Sequence, residues 1–262
     1  WGHAVAIPLQ PENRRFTDFA NTAIYAPTAY LPQALAIAVL RPFHVSPLLI
    51  LYATRLANLL LWILLVSAAI RLMPFMQTLL AAIAMLPATI CIAASANADV
   101  LTNGLAWCLT VALLFSPIST AFLKKLLATL IIASNKLIAV VLIFAALFSV
   151  GKKLPGRVES YSGSFRKRFA ILLAVGIISA MLWGRLAQSW FIPYDDYDPA
   201  FRDTQTLNSG VNPSRQLAFI LDKPLFFTAV VCKSMVKALP SMAAHVVGKF
   251  GWEKNYLPAP WI

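Results

Sequence analysis

Four long apolar runs constrain what this chain can fold into more than any other feature of its sequence. They occupy residues 46–72, 78–96, 99–115 and 168–191, and the second run contains Pro87. A helix needs roughly 20 apolar residues to cross a hydrocarbon core of about 30 Å. Because each run approaches or exceeds that length, we expect an all-α fold. The chain should form a polytopic transmembrane helical bundle, with the second run kinked or interrupted at its proline.

The composition agrees with a membrane protein and excludes other classes. Hydrophobic residues make up 60% of the 262 residues and charged residues only 12%, with a mean hydropathy of +0.73. A soluble domain has about 45–50% apolar and about 25% charged residues, and a disordered chain needs low hydrophobicity and high charge. The sequence has no Walker loop, dinucleotide motif, Cys/His metal spacing or nucleophile elbow. No soluble cofactor is therefore expected.

Two further apolar regions are irregular. Residues 126–150 are cut at Asn135 and Lys136 into pieces that are each too short to cross a membrane, which favours a helical hairpin that enters and leaves on one side. Residues 223–249 are long enough to cross, but Lys233, Lys237 and Pro240 fall in their middle. A charge at the bilayer centre costs at least ~2.5–3.5 kcal/mol. This second region is therefore expected to form short interfacial or re-entrant helices.

The net charge of +12 is distributed unevenly along the chain. Basic residues cluster in 152–168, and Arg71 and the pair Lys124 and Lys125 fall on the same side if the spans alternate. The positive-inside rule makes that side cytoplasmic. Nine of the ten acidic residues then lie on the external side, which we expect to be the working side. The imbalance indicates contact with anionic membrane lipids rather than nucleic acid.

We predict a single membrane domain over residues 1–262. Residues 1–45 form an external loop with an interfacial helix, residues 46–192 contain transmembrane helices and the basic cytoplasmic loop, and residues 193–262 form an external loop with interfacial helices. The chain begins with Trp1 rather than Met, and it ends abruptly after Ile262. We therefore expect it to be a fragment of a longer polytopic protein. The oligomeric state stays open.

Two tyrosines and two prolines form a repeated pattern in the first loop. Tyr25, Pro27, Tyr30 and Pro32 are spaced as Tyr-x-Pro-x-x-Tyr-x-Pro. Each proline favours extended backbone before it, and the second one favours a helix start. The tyrosines are expected at headgroup depth. They act there either as aromatic anchors or as part of a substrate groove.

Arg55 and Asn58 are three residues apart, so both project from one face of the first long helix. Arg55 lies some 13 Å inside that helix at ~1.5 Å per residue. An arginine at that depth should face the bundle and find an acceptor, either a protein carboxylate or carbonyl or a bound phosphate. Asn58 is expected to line the same groove as the tyrosines.

Asp99 and Lys136 are the other two ionisable candidates in the apolar regions. Asp99 begins a helix, where it either caps the helix or acts as a surface carboxylate that orients Arg55 or a substrate hydroxyl. Lys136 lies at the tip of the expected hairpin. It either pairs with a lipid-linked phosphate or extends to water.

The remaining acidic residues lie in loops. Asp18 is isolated in the first loop. The densest acidic patch contains Asp195, Asp196, Asp198 and Asp203. Its oxygen ligands would suit a divalent cation such as Mg²⁺ or Ca²⁺, but the interleaved tyrosines and the absence of EF-hand spacing favour a solvated loop.

The order of these motifs resembles that of a bacterial family of membrane proteins defined by domain of unknown function 2142. The resemblance runs from Asp18 to Asp99 and continues more weakly to the end of the chain. It rests on the Asn-Thr-Ala-Ile-Tyr-Ala-Pro-Thr-Ala-Tyr-Leu-Pro-Gln segment from Asn21 to Gln33, the Tyr-Ala-Thr-Arg-Leu-Ala-Asn segment from Tyr52 to Asn58, Leu86-Pro87, and the Ala-Ser-Ala-Asn-Ala-Asp segment from Ala94 to Asp99.

That family is similar to the GT-C superfamily of integral membrane glycosyltransferases. The resemblance implies sugar transfer from a polyprenyl-phosphate donor to a glycan or lipid acceptor of the cell envelope, on the external face of the bacterial cytoplasmic membrane. It implies an acidic catalytic residue, here Asp18 or Asp99, and basic residues that hold the donor phosphate, here Arg55 and Lys136. The family's acidic Pro-Asp-Glu segment is not present in this chain, so the catalytic base stays open.

Two other functions fit the same sequence. A transporter or flippase of lipid-linked glycans would place paired ionisable residues along a path through the bundle, whereas most acidic residues here lie in loops. A non-catalytic scaffold of an envelope-assembly complex would need none of the candidate residues.

Overall fold

A computed structural model describes residues 6–10, 12, 25–148, 163–190, 213–250 and 255–256. Contacts divide the chain into two compact units. The first contains Trp1–Met85 and Thr89–Phe191, and the second contains Leu86–Ala88 and Ile192–Ile262. The described residues are overwhelmingly helical, which confirms the predicted all-α membrane class.

Nine α-helices have bounds within the described residues. In chain order they are α1 (Leu31–Leu40), α2 (Pro47–Leu72), α3 (Gln77–Ala84), α4 (Pro87–Ala93), α5 (Asp99–Phe115), α6 (Phe122–Asn135), α7 (Gly163–Ser189), α8 (Pro213–Asp222) and α9 (Pro224–Gly248). Three segments have 3-10 geometry: Pro27–Tyr30, Arg41–Phe43 and Leu137–Phe148. Two short strands, Lys249–Phe250 and Asn255–Tyr256, pair antiparallel.

Three helices in the described part of the chain are long and apolar enough to cross a membrane. They are α2, α7 and the segment Pro224–Ala244 of α9. Helix α5 is apolar but shorter, at 17 residues. Large hydrophobic side chains such as Leu64 and Leu182 are exposed on these helices. That is the arrangement expected where the surrounding solvent is lipid.

Helix α2 begins where the sequence predicts and packs against α5. Ser46 accepts the backbone N–H of Leu49 at 3.4 Å, and Pro47 occupies the first turn, which requires no N–H partner. Further along, Leu65 lies against Gly104, and its carbonyl accepts the Cys108 thiol at 3.1 Å. Asn58 contacts Asn97 before α5, Leu65 contacts Gly104, and Phe75 contacts Phe115 at its end, so α2 and α5 run in the same direction.

Helix α6 and the following 3-10 segment form the hairpin that the sequence predicts. The chain turns at Lys136, and both arms contact α7. A Cβ at Gly176 of α7 would meet Ile143 and Val140 at 3.2 and 3.3 Å, so α7 approaches the returning arm closely. One hydrophobic core joins these elements with α5 around Leu113, Ile143 and Leu172.

The apolar run over residues 78–96 is interrupted at Pro87, which is one of the two outcomes that the sequence predicts, and it forms two short helices, α3 and α4. They are 8 and 7 residues long and are separated at Met85 and Leu86. Proline cannot donate the hydrogen bond that would continue α3, but it fits the first turn of a new helix. Pro87 therefore starts α4 rather than kinking one longer helix.

Helix α9 also differs from the expectation. Residues 223–249 were expected to form short interfacial or re-entrant segments, but one continuous helix runs from Pro224 to Gly248 with Pro240 inside it. Lys233 and Lys237 are exposed, so neither lysine charge is buried in protein. A proline removes one helical hydrogen bond, and neighbouring turns on both sides maintain the helix. Helix α8 precedes it and contacts it through Phe219 and Phe226, whose rings meet edge to face with their centroids 6.2 Å apart.

Candidate functional site

The turn between α4 and α5 is built from its own polar side chains. The Asn97 side-chain oxygen accepts the backbone N–H of Asp99 at 2.9 Å, so Asn97 satisfies a free donor at the start of α5. Thr102 donates to the Asp99 carbonyl at 3.0 Å. The cap that the sequence assigned to Asp99 is thus supplied by Asn97, and the Asp99 carboxylate is left for another partner.

That partner is Lys136. Its ammonium lies 2.6 Å from the Asp99 carboxylate, and the two side chains are 33% and 36% exposed. Asp99 begins α5 and Lys136 directly follows α6, so the ion pair links the start of α5 to the end of α6. The sequence predicts that Asp99 orients Arg55 or a substrate hydroxyl, whereas in the structure the carboxylate pairs with Lys136.

Helix α2 holds the same turn through Arg55 and Asn58. Arg55 Nε donates to the Ala94 carbonyl at 2.7 Å, and its guanidinium lies 5.5 Å from the Tyr52 ring centroid. Asn58 is fully buried and donates to the carbonyls of Ser95 and Asn97 at 2.7 and 3.3 Å. Of the acceptors proposed for Arg55, the structure shows a backbone carbonyl.

The Tyr-Pro segment lies beside this turn. Gln33, which is buried in α1, donates to the Asn97 carbonyl at 2.5 Å. Thr28 accepts a hydrogen bond from Asn135 at 3.3 Å, across 107 positions of the chain. Tyr25 and Tyr30 flank Thr28 and are half-buried. We call Gln33, Arg55, Asn58, Ser95, Asn97, Asp99, Asn135 and Lys136 the polar site.

Several side-chain oxygens in the polar site are buried without a donor among the described residues. They are Gln33 Oε1, Asn58 Oδ1 and Asn135 Oδ1. A buried acceptor without a partner costs free energy, of the order of 1–3 kcal/mol. Such oxygens can accept hydrogen bonds from water or from the hydroxyl groups of a ligand.

The sequence singles out four residues of the polar site but not most of its amide side chains. Arg55, Asn58, Asp99 and Lys136 were all predicted, and the structure brings them around one turn. Gln33, Asn97 and Asn135 were not assigned roles. Each one is an isolated amide at the edge of an apolar run, and that signal could have pointed to them.

Asp18 and the acidic patch of Asp195, Asp196, Asp198 and Asp203 lie outside the described residues. Among the residues that the structure does describe, there is no group of three or more His, Cys, Asp or Glu side chains that could hold a metal ion. Asp99 supplies the carboxylate of the polar site, and no cluster of metal-binding side chains accompanies it within the described residues.

The opposite end of the first unit is basic. Helices α2 and α5 both end there, since the rings of Phe75 and Phe115 are 5.2 Å apart. Helices α6 and α7 both begin there, since Arg168 lies over the ring of Phe122. Lys125 is only 3% exposed and donates to Ser116 Oγ and the Pro117 carbonyl at 3.1 and 2.6 Å. Basic residues at this end are Arg71, Lys124, Lys125, Arg166, Lys167 and Arg168.

Comparison with known proteins gives a family but no function. A sequence model of the family described as predicted membrane protein, with domain of unknown function 2142, matches residues 3–261. Neither a curated protein nor a solved structure matches the chain. The match covers nearly the whole chain and agrees with the helices able to span a membrane. The chain therefore belongs to this family of predicted membrane proteins.

Proposed function

We propose that this protein is a membrane glycosyltransferase that moves a sugar from a polyprenyl-phosphate donor to a cell-envelope glycan or lipid. The transfer takes place at the polar site, on the external face of a bacterial cytoplasmic membrane. The observation that carries the proposal is the partly exposed ion pair between Asp99 and Lys136, which joins a carboxylate and a cation at one end of an apolar helix bundle.

The charges of the polar site have the types that this reaction needs. A departing phosphate is stabilised by nearby positive charge, and an attacking hydroxyl needs a base. Lys136 supplies an ammonium, and Arg55 supplies a guanidinium whose single described hydrogen bond uses Nε. The terminal nitrogens of Arg55 can therefore contact a phosphate, which arginine binds well.

The transfer is a simple displacement. The acceptor hydroxyl attacks the anomeric carbon, the bond from that carbon to the phosphate oxygen breaks, and the bonding electrons leave with the polyprenyl phosphate. Lys136 turns from Asp99 to the phosphate, and this frees the carboxylate to accept the hydroxyl proton. Asp18 is the other candidate for the base. Tyr25 and Tyr30 border the groove in which the substrates lie, whereas Asn58, which the sequence also assigned to the groove, is fully buried and holds the turn beside it.

The charge distribution supports the external face. Six basic residues lie at the end of the first unit that is opposite to the polar site. The positive-inside rule assigns such an end to the cytoplasm. A transporter would need ionisable pairs along a path through the bundle, whereas the one ion pair in the described residues lies at one end.

Purified protein in lipid nanodiscs, supplied with hexosyl and pentosyl polyprenyl phosphates and envelope-glycan acceptors, tests the proposal. Mass spectrometry measures the released polyprenyl phosphate and the extended acceptor. We expect Lys136→Ala to slow transfer about 100-fold, as for the loss of one stabilising group at a developing charge. Lys124→Ala is the matched control, because Lys124 is an exposed lysine at the other end of α6.

The control variant should transfer at the rate of the unmodified protein. The absence of transfer with every donor would contradict the proposal, and so would equal rates for Lys136→Ala and Lys124→Ala. Movement of the intact donor between leaflets without cleavage would favour a flippase.

A further inference from the structure

A cavity of about 170 Å³ lies between α2, α4 and α5, next to the polar site but separate from it. Val100, which directly follows Asp99, forms part of its wall, and Asn103 follows one helical turn later. At ~1.5 Å per residue, Asn103 is about 6 Å along α5 from Asp99. The cavity is lined by Trp62, Thr89, Ile92, Ala93, Val100, Asn103 and Trp107.

The lining combines aromatic, aliphatic and uncharged polar groups. The rings of Trp62 and Trp107 meet edge to face, with centroids 5.2 Å apart. The Asn103 side chain makes no hydrogen bond within the described chain, although the residue is half-buried in an apolar helix. Its amide lines the cavity, where a few polar groups among apolar walls are typical of a small-molecule site. None of the lining residues is charged.

The size of the cavity suits one six-membered ring. A protein cavity of about 150 Å³ with apolar walls holds a benzene molecule. A purely apolar ring would leave the Asn103 amide unpaired, and a charged ring would find no counter-charge in the lining. A wider, mostly apolar groove of about 450 Å³ lies next to the cavity and shares Asn103 and Trp107 with it.

We propose that this cavity binds a single uncharged pyranose ring. Trp62 and Trp107 contact the C–H face of the sugar, and the Asn103 amide donates to and accepts from its hydroxyl groups. This inference rests on the proposed function in one respect, namely that the ring is the sugar delivered to the polar site. Asn103 and Trp107 are then specificity-determining residues that select neutral sugars over uronic acids.

Direct binding tests the proposal without any need for activity. Saturation-transfer NMR measures the binding of neutral methyl hexopyranosides to the full chain in nanodiscs. The same experiment measures the binding of the corresponding methyl glycosides of hexuronic acids, whose carboxylate is free. We expect the neutral glycosides to bind at least tenfold more tightly than the uronic acids. Asn103→Leu and Trp107→Leu should each weaken binding at least tenfold, whereas Trp190→Leu, which alters an exposed tryptophan outside the cavity, should leave it unchanged.

Each result separates this inference from the proposed function. Neutral glycosides that bind to the unmodified protein but not to Asn103→Leu support the sugar cavity, even if no donor is ever cleaved. Sugar transfer that continues unchanged in Asn103→Leu would overturn the sugar cavity and leave the transferase standing. An undetectable neutral glycoside, or a uronic acid that binds equally well, would also overturn it. Asn103→Leu keeps the test valid if Trp107→Leu fails to fold.

Discussion

At the scale of single residues, two asparagines in neighbouring helices have opposite roles. Asn58 is fully buried, and its amide holds the carbonyls of Ser95 and Asn97. Asn103 lines a cavity and makes no hydrogen bond within the described chain. The same residue type therefore maintains the shape of the polar site in one place and is left free for a ligand in the other.

This difference predicts unequal effects of the same substitution. Asn58→Leu should lower the free energy of unfolding by about 1–3 kcal/mol, because the Ser95 carbonyl loses its donor and the Asn97 carbonyl keeps only the one from Gln33. Asn103→Leu should change it by less than about 0.5 kcal/mol or raise it slightly, because no hydrogen bond is lost. Urea unfolding in detergent micelles measures both variants, and hydrogen exchange should show faster opening of residues 95–99 only in Asn58→Leu. Equal losses of stability would contradict this assignment.

The ionisable part of the polar site is predictable from the sequence, whereas its pairing is not. Arg55 and Lys136 are identifiable because a cation in an apolar run must find an acceptor. Which acceptor each one finds depends on contacts across many positions. The sequence suggests Asp99 for Arg55, but the hairpin brings Lys136 to Asp99 and leaves Arg55 with the Ala94 carbonyl.

At the scale of elements, the contact between α2 and α5 depends on one glycine. A Cβ added at Gly104 would lie 2.6 Å from Leu65 Cδ1 and 3.0 Å from Leu65 Cβ. The absence of a side chain lets the two helices approach closely, as small residues do in membrane bundles. The contact between Leu65 and Cys108 also depends on this approach.

Gly104→Ala should therefore destabilise the protein by about 1–3 kcal/mol, because the Leu65 side chain must shift to make room. Gly184→Ala in α7 is the matched control, since nothing lies within 4 Å of its added Cβ. That control should be neutral or stabilising by about 0.5–1 kcal/mol, because alanine favours a helix over glycine. Thermal unfolding in nanodiscs measures both. A Gly104→Ala variant as stable as Gly184→Ala would show that the helices do not touch there.

Long apolar helices were easier to predict than broken ones. The bounds of α5 and the end of α2 agree with the apolar runs, because length and hydropathy decide them. The sequence predicts that residues 78–96 are either kinked or interrupted at Pro87, but it does not decide between the two, since Pro87 is compatible with either a kink or a helix start. For α9, Lys233 and Lys237 suggest a break in the helix. Both side chains are exposed, however, and the helix continues past them.

At the scale of the whole molecule, the first unit has chemically different ends. Helix α5 connects them, with the polar site at its start and Lys125 beyond its end. The six basic residues and the one described ion pair are thus separated by the length of that helix, about 25 Å at ~1.5 Å per residue. Such a difference sets the orientation of a protein in the membrane, because the ends that are rich in lysine and arginine stay in the cytoplasm.

Cysteine labelling of intact cells should reveal this orientation. In a variant without Cys91, Cys108 and Cys232, Ala96→Cys should react with a membrane-impermeant maleimide from outside. Thr120→Cys should react only after the cells are permeabilised. Both positions are exposed and lie beyond opposite ends of α5, so each is the control for the other. The reverse pattern would place the polar site in the cytoplasm and exclude the proposed external transfer.

The parallel course of α2 and α5 has a consequence for biogenesis. The chain between them must return across the bundle, and it does so with α3 and α4, which are about 12 and 10 Å long at ~1.5 Å per residue. Neither helix could partition into lipid alone, since crossing takes roughly 20 residues. We therefore expect this segment to remain with the insertion machinery until α5 has been synthesised. The turn that carries Asp99 can form only after both long neighbours are in place, so the polar site is completed late in assembly.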